Sequence, residues 1–382
     1  MILNLLIFIA TLLVLVVIHE LGHFIAARKF NIKVEEFGFG IPPRVFGKKF
    51  GETLFSLNLL PLGGFVKLLG EDEVDKKILE DHRSFAAQQV SKRIIVVIAG
   101  VMMNLILAWI LFYIFLAGKG FRIELPMIIE HQFIGASQIN EVVILIGSVA
   151  ENSPAKESGL KAGERIVAVN NKLLDSASEF SAQVKSLSGQ EIELAVTTPD
   201  KNNARNIKVI PRKDPPPGQG SLGISLGEIK TAVIEYQTFE QKLFSGITYS
   251  INFTQLTFKG LGRTISDLSN KNFERASQTV SGPIGLAIIT NDILKIGDIL
   301  QYLHFMGLIS LTLAIFNFLP IPALDGGRLL FFYIEAIFGK RAVRPELETQ
   351  IHYVGFMILM GLMVLVFYSD IRNVCMYRLS WC

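Results

Sequence analysis

Four long apolar stretches constrain the fold of this chain more than any other feature of its sequence. They cover about residues 2–27, 94–117, 299–320 and 354–368, the last with weaker flanks. A stretch of roughly 20 apolar residues is long enough to cross a bilayer as a helix. Half of all residues are hydrophobic, which also indicates that much of the chain lies outside water. The sequence therefore predicts a polytopic α-helical membrane protein with four transmembrane helices.

Basic residues predict how these helices are oriented. Twelve Lys and Arg residues lie between Arg28 and Arg93, and none precedes Arg28. By the positive-inside rule this loop is cytoplasmic, so both termini and the long segment between helices two and three lie outside. The first stretch lacks a basic n-region and a small-residue cleavage site, so we expect it to be retained rather than removed as a signal peptide. The net charge of +3 gives no electrostatic footprint for nucleic acid.

A His-Glu-x-x-His pattern interrupts the first apolar stretch. On a helix, His19 and His23 lie one turn apart on one face, where both imidazoles can bind one zinc ion. Glu20 between them is positioned to act on a water molecule beside the metal. Ionisable groups inside a spanning helix are costly and therefore usually functional. The alternative is a helix end whose polar side chains face headgroup water or pair with a neighbouring helix.

A second polar constellation follows the third apolar stretch. Pro320 and Pro322 must break the helix, and Gly326 and Gly327 allow a tight turn. We therefore expect Asp325 to be presented from unwound backbone at membrane depth, which is tolerated only beside protein or a polar cavity. A carboxylate oxygen would complete a His-His-carboxylate zinc site with one position open to water, the pattern of catalytic sites. A plain helix-ending turn is the alternative.

The segment of residues 31–70 is predicted to form a cytoplasmic, membrane-associated β-region. Its apolar runs alternate with Gly and Pro, which indicates short strands punctuated by turns. An unpaired edge of such a sheet would let an extended peptide add as a further strand. A small hairpin with only a packing role is the alternative.

Other polar residues are predicted to be structural. Asn104 lies one turn after Gly100 in the second apolar stretch, and we expect its side chain to hydrogen-bond across to another helix. Cys375 and Cys382 match neither a metal site nor a disulfide framework and are interpreted as part of an exposed tail. Four scattered His residues are expected to have surface, interfacial or packing roles: His82, His131, His304 and His352.

Residues 118–235 predict one exported α+β domain, since they have fewer apolar runs and more charge. Residues 152–166 strongly resemble the core of a PDZ domain, and residues 221–226 resemble the loop and strand with which PDZ domains receive a peptide end. This element comes last, as in circularly permuted bacterial PDZ domains. The resemblance implies peptide contacts at Leu222, Gly223 and Ile224 through backbone N–H groups. A PDZ shell that acts only as a size filter or lid is the alternative.

The remaining boundaries follow from these segments. Residues 1–117 form the first half of a membrane core, and residues 299–382 form the second half. Residues 236–298 are interpreted as an amphipathic helix on the outer membrane surface followed by a linker, because residues 238–265 show helical periodicity with apolar and charged faces. An ordinary packed helix is the alternative, and residues 270–281 form the polar linker.

In combination these motifs resemble the bacterial site-2 proteases, the intramembrane zinc metalloprotease family that includes the regulator-of-sigma-E protease. The resemblance covers nearly the whole chain. Besides the His-Glu-x-x-His motif and the PDZ-like unit, it rests on residues 61–67, Ala99 with Gly100, Asn104, residues 281–285 and residues 317–327.

The resemblance implies a zinc-dependent endopeptidase of the bacterial inner membrane. His19, His23 and Asp325 would bind Zn2+, and Glu20 would take a proton from water and pass it to the leaving amine. Asn317 would hold substrate backbone near the metal, with a hydrogen bond inside the helix bundle as the alternative. The strand partner for an extended substrate would come from Gly63, Gly64, Phe65, Val66 and Lys67. His19 lies nine residues before Arg28, which predicts a site in the cytoplasmic half of the membrane.

The implied substrates are single-span membrane proteins such as anti-sigma factors, already shortened outside by a site-1-type protease, or leftover signal peptides. A rival from another class is a catalytically silent, PDZ-bearing membrane adaptor that holds client helices. The presence of Glu20 and of all three ligands weighs against it. A zinc transporter is a weaker alternative, because it would need several metal sites along a pathway.

Overall fold

The computed structural model describes residues 2–71, 78, 80–198, 204–272, 281–339 and 345–378. Cys382 and the side chain of Cys375 lie outside this description, as does most of the predicted linker. The chain divides into two compact units. The first unit combines Met1–Gly120 with Leu243–Cys382, and the second unit is Phe121–Lys242.

Helices and strands are numbered separately in chain order. The described helices are α1 (Ile2–Lys29), α2 (Val90–Gly118), α3 (Pro154–Glu157), α4 (Ala177–Ser186), α5 (Phe239–Leu243), α6 (Ser245–Ser269), α7 (Pro283–Ile296), α8 (Ile299–Phe318), α9 (Asp325–Phe338) and α10 (Pro345–Arg378). The described strands are β1 (Val34–Phe50), β2 (Thr53–Leu68), β3 (Arg122–Pro126), β4 (Ser137–Val149), β5 (Arg165–Val169), β6 (Lys172–Leu173), β7 (Ile192–Thr197), β8 (Ala204–Val209) and β9 (Ile224–Glu235).

Among the described residues, four helices are long and apolar enough to cross a membrane. These are α1, α2, α8 and α10. The prediction of a polytopic membrane protein with four such helices and a β-region is therefore confirmed at this level. The last helix extends well beyond the predicted apolar centre, over Glu346–Arg372. Its apolar side chains are mostly exposed, and lipid would cover a surface of this kind.

Small residues allow α1 and α2 to pack with their backbones in close contact. A Cβ atom added to Gly22 would lie 2.6 Å from the carbonyl carbon of Ala99 and 2.8 Å from the Cα atom of Gly100. Only glycine leaves room for this approach, as is common where membrane helices pack closely. The contact fixes α1 against α2 at the level of the His-Glu-x-x-His motif.

Helix α2 also contacts α8, α9 and α6, and therefore forms the centre of the first unit. The hydroxyl of Ser310 on α8 donates a hydrogen bond of 2.8 Å to the backbone carbonyl of Asn104 on α2. Near the other end of α2, the guanidinium of Arg93 contacts both carboxylate oxygens of Glu335 on α9 at 2.7 Å. These bonds set the height of α2 relative to the helices on both sides.

Helix α8 begins at a capped and ion-paired end. The carboxylate of Asp298 accepts hydrogen bonds from the backbone N–H groups of Leu300 and Gln301, at 3.0 and 3.2 Å. It also pairs with Lys119, just after the end of α2, at 2.7 Å. The Lys119 hydrogen bond lowers the pKa of the Asp298 carboxyl. The pair thus connects the adjacent ends of α2 and α8.

Two further helices occupy the region predicted as a surface helix and linker. One face of α6 is buried, and the hydroxyl of Tyr249 lies 2.9 Å from Nε2 of His304 on α8, so α6 is a packed helix. Helix α7 was not predicted. A residue of α10 fixes the N-terminus of α7. The buried carboxylate of Asp370 accepts hydrogen bonds from the N–H groups of Gly282 and Gly285 at 3.0 and 2.9 Å.

Strands β1 and β2 form one bulged hairpin whose register shifts repeatedly, and its shorter paired segments agree with the prediction of short strands punctuated by turns. The second half of β2 returns beside the first half of β1, and Phe37 therefore lies opposite both Val66 and Phe55. The segment Gly64–Leu68 forms an outer edge of this sheet. No other strand of the described residues pairs with it.

The second unit contains a sheet in the order β3-β9-β4-β5-β7-β8, with β6 paired to β5. Its apolar core includes Ile144, Ile166, Phe180 and Leu194. Strand β9 pairs with β4 from Ile224 to Glu235 but with β3 only from Thr231 to Glu235. Within the described part of the chain, the edge of β9 before Thr231 has no strand partner on the β3 side.

Candidate metal centre

Three side chains converge on one point in the first unit. Nε2 of His19 lies 2.9 Å from Oδ2 of Asp325, and Nε2 of His23 lies 3.3 Å from the same oxygen. The two Nε2 atoms lie 3.1 Å apart. Helical spacing brings the imidazoles together on α1, whereas tertiary packing brings Asp325 to them from the other half of the chain. The side chain of Asp325 is 21% exposed, which leaves the cluster open on one side.

The donor set fits a zinc ion. Zinc bonds of about 2.0–2.1 Å in a tetrahedron place neighbouring ligand atoms roughly 3.3 Å apart, close to the three separations above. Metal-binding histidines usually hydrogen-bond through the ring nitrogen that does not face the metal. His23 fits this pattern, because its Nδ1 lies 2.9 Å from the carbonyl oxygen of Val96. A proton on Nδ1 then donates to this carbonyl and leaves the Nε2 lone pair directed to the metal.

Asp325 lies at the first position of α9 and not in unwound backbone, so that prediction was wrong in detail. The chain does leave the helical conformation between Phe318 and Asp325, as the two prolines require. It returns to a helix in a tight space, since a Cβ atom added to Gly327 would lie 3.0 Å from Cα of Pro322. The glycine pair therefore lets the first turn of α9 pack onto the preceding loop.

The loop before Asp325 is held by a residue that no sequence motif marks as functional. Ala323 has a positive φ of 75°, a conformation unfavourable for a residue with a side chain. Its backbone N–H donates a hydrogen bond of 2.9 Å to Nδ1 of His352 on α10. His352 thereby fixes the backbone two residues before the carboxylate, and it was predicted only as a scattered histidine.

Glu20 and Asp325 line two cavities. The larger cavity has a volume of about 490 Å³, and its walls come from α1, β2, α2 and the start of α9. Phe65, Val66 and Lys67 of the β2 edge belong to this wall. The backbone of Gly64 is also close, because a Cβ atom built there would lie 3.4 Å from Cγ of Glu20.

Gly63 is not among the residues that line this cavity. It has a φ of 95° and faces Ile41 across the hairpin. The structure thus brings four of the five predicted β-region residues next to Glu20. At the same cavity, Arg328 forms an ion pair with Glu71, a contact that the sequence did not suggest.

The smaller cavity has a volume of about 180 Å³ and contains two carboxamide side chains, those of Asn104 and Asn317, together with His19. Asn104 is completely buried, and neither its Nδ2 nor its Oδ1 hydrogen-bonds to any residue that the structure describes. The predicted side-chain bond to another helix was therefore wrong. A buried polar group without a partner destabilises a fold by about 1–3 kcal/mol.

A separate cavity of about 490 Å³ lies in the second unit. Leu222 and Ile224 line it, together with Phe180, Val184 and Lys185 of α4. Gly223 lies between them with a φ of 73°. The wall formed by β9 is the part of that strand without a partner on the β3 side.

This fold and this site together define a class: a multi-span membrane protein with a His-His-Asp cluster that could hold a metal ion and an acidic side chain beside it, an arrangement suited to hydrolysis. The model of Peptidase family M50 matches residues 7–362. The chain therefore belongs to Peptidase family M50 and is a zinc metalloprotease. The resemblance stated from the motifs is confirmed, as are the membrane character and the zinc cofactor.

Individual relatives are similar over nearly their whole length. A Clostridium perfringens protein named as a zinc metalloprotease is 33% identical over 357 residues, which cover 94% of this chain and 95% of the relative. A Campylobacter jejuni protein of the same description is 31% identical, with 96% and 94% covered. The Bacillus subtilis regulator of sigma-W protease RasP is 28% identical, with 94% and 96% covered.

Proposed function

We propose that this metalloprotease cuts single-span membrane proteins within or near their transmembrane segments. The observation that carries the proposal is the convergence of His19, His23 and Asp325 beside Glu20, on helices long enough to span a bilayer. A hydrolytic site in such helices is suited to substrates that are themselves in the membrane. Its position near the basic end of α1 favours the cytoplasmic half of the bilayer.

His19, His23 and Asp325 would hold zinc in this proposal. When bound, zinc lowers the pKa of a coordinated water and polarises the scissile carbonyl. Glu20 takes the proton from the attacking water and passes it to the leaving amine. The carbonyl of Val96 keeps the His23 ring in one tautomer and one orientation, so that the ligand set is formed before substrate arrives.

The substrate must become extended before it can be cut, because the carbonyls of a helix are engaged in hydrogen bonds. The outer edge of β2 from Gly64 to Lys67 pairs with no further strand of the described residues and lies beside Glu20, which supports addition of the substrate as a strand. Gly63 acts indirectly by shaping the bend before this edge. Asn317, on the other side of the centre, binds substrate backbone in this proposal.

We extend the proposal to the second unit, which we interpret as a circularly permuted PDZ domain covering residues 118–235. The open edge of β9 beside α4 supports this interpretation, because PDZ domains bind a peptide as an added strand in such a groove. Leu222, Gly223 and Ile224 form its carboxylate-binding end, and Lys185 and Lys213 add positive charge to the same cavity. Residues 1–117 and 299–382 are the two halves of the protease core, and the PDZ unit and residues 236–298 lie between them in the chain.

The cellular setting is proposed on the basis of charge distribution and relatives. The basic loop after α1 favours a bacterial inner-membrane protein with both termini and the PDZ unit outside. The name of the Bacillus subtilis relative, a regulator of sigma-W protease, supports substrates of the anti-sigma type. Signal-peptide remnants are a second substrate class, and a site-1-type protease would first shorten substrates outside.

A catalytically silent adaptor is not favoured. Such a protein would have no need for the complete set of ligands, the oriented His23 ring and Glu20 at the cavities. It remains the outcome to which a negative cleavage test would point.

The test compares the wild-type protein with Glu20→Gln in liposomes that contain a truncated single-span substrate. Glu141→Gln is the matched control, because Glu141 is an exposed residue of the second unit. We expect wild type and the control to cut, and Glu20→Gln to retain zinc without cutting. Retention of substrate by all three proteins without any cleavage would reject the protease proposal in favour of the adaptor.

A further inference from the structure

Asn104 is the polar residue of the membrane core that the proposed mechanism leaves without a role. It is completely buried, and both polar atoms of its carboxamide lack a hydrogen-bond partner among the described residues. By contrast, Nδ2 of Asn4 on α1 donates a hydrogen bond of 2.9 Å to Oδ1 of Asn291. A buried amide without a partner therefore requires an explanation by function.

The position of Asn104 is set by two contacts. Gly100 lies one turn earlier on α2, and a Cβ atom added to it would lie 2.9 Å from Nε2 of His19. Residues four apart share a helix face, so Asn104 lies on the face that meets the histidine pair. The bond from Ser310 to the backbone carbonyl of Asn104 then fixes its height. The side chain lines the cavity that also contains Glu20 and Asp325.

The chemistry of this cavity creates a need that Asn104 can meet. Peptide hydrolysis develops negative charge on the carbonyl oxygen, and this charge requires hydrogen-bond donors. Ionised Glu20 and Asp325 are acceptors only. If Nε2 of His19 holds the metal, its Nδ1–H is directed away from the metal, and the other N–H donors among the side chains lining the cavity are the carboxamides of Asn104 and Asn317.

We propose that Nδ2 of Asn104 donates a hydrogen bond to the carbonyl oxygen of the scissile peptide as this oxygen becomes an oxyanion. The inference rests on the proposed proteolytic function and adds a catalytic residue to it. The Ser310 bond fixes the backbone of Asn104 before substrate binds, and preorganisation of this kind makes such a donor effective. The half-buried Asn317 keeps the separate task of binding substrate backbone.

The test uses Asn104→Leu, which keeps a similar shape and removes the donor, in the full-length purified protein. Asn4→Leu is the matched control, since it removes a spanning-helix asparagine whose amide bonds only within the bundle. Four quantities are measured: bound zinc, kcat and KM for a single-span substrate, and the Kd for a phosphinate peptide. The phosphinate carries a tetrahedral anionic group and so mimics the transition state.

We expect Asn104→Leu to bind zinc as wild type does and to keep KM within about threefold. Its kcat should fall by about 10²–10³, and its phosphinate Kd should rise by a similar factor. The Asn4→Leu control should leave both quantities within about threefold. Asn104→Asp, which has the same size but no donor when ionised, should be at least as impaired.

Two results would overturn the inference while the protease proposal stands: a kcat and phosphinate Kd near wild type in Asn104→Leu, or losses explained by missing zinc. A loss of stability in Asn104→Leu with unchanged phosphinate binding per folded molecule would assign the residue a packing role only. If the wild type neither cuts nor binds phosphinate, the proposed function fails first, and the role of Asn104 fails with it.

Discussion

Replacing Gly100 with alanine should damage the metal centre without touching a ligand. The added Cβ atom would lie 2.5 Å from Cε1 of His23 and 2.9 Å from Nε2 of His19. Non-bonded carbon atoms settle at about 3.5–4.0 Å, so the His23 ring must move by about 1 Å. Metal sites tolerate deviations of about 0.2 Å in their bond lengths. The required movement is therefore several times larger than the centre can absorb.

We expect the affinity of Gly100→Ala for zinc to fall about 10–100-fold, which corresponds to about 1.4–2.7 kcal/mol. The assay is a titration of the apo-protein in detergent with buffered free zinc. Gly361→Ala is the control, because a Cβ atom at that position of α10 has no neighbour within 4 Å. Zinc affinity of Gly100→Ala equal to that of the control would show that α1 and α2 do not press on the histidine pair as described.

Three further outcomes are expected. His352→Phe should lower kcat about tenfold or more, because it removes the hydrogen bond that holds the Ala323 backbone. Thermal stability should stay close to wild type, because the aromatic ring is kept. Unchanged turnover would contradict the positioning role. Lys119 lowers the pKa of Asp298 below its ordinary 3.8, so the pair stabilises the fold above pH 3.8 and this contribution disappears as pH falls through the lower folded-state pKa. Thermal melts should therefore show Asp298→Asn less stable than wild type at pH 6, and the difference should shrink as pH falls below 3.8; a difference independent of pH would disprove the assignment. Removal of zinc with a chelator should lower the melting temperature, and added zinc should restore it, because the metal binds only the folded ligand set.

The sequence predicted the parts of the fold that depend on local composition. The four spanning helices follow directly from apolar length, and the histidine pair follows from helical spacing. The β-region was predicted as short strands from its alternation of apolar runs with Gly and Pro, and the register of the hairpin does shift between Ile41 and Arg44, where the prolines lie. Helix α7 was missed although Gly282 followed by Pro283 is a typical helix start.

The interior of the site was less predictable, because its contacts depend on tertiary packing. No local pattern distinguishes a bundle asparagine from the unpartnered Asn104, since both occur in apolar helices. The hydrogen bond of His352 to Ala323 joins segments that carry no recognisable motif. In the same way, the ion pair of Arg328 with Glu71 becomes visible only once α9 lies beside the end of the hairpin.

The two parts of the proposed zinc site are made at different times. His19 and His23 lie on α1, and Asp325 follows about 300 residues later in the chain, after the entire second unit. At about 5–20 residues per second, roughly 15–60 s of translation separate them. During this interval the nascent chain carries two histidines and Glu20 but no complete ligand set. The chain order itself therefore keeps the enzyme inactive until its membrane core has been synthesised.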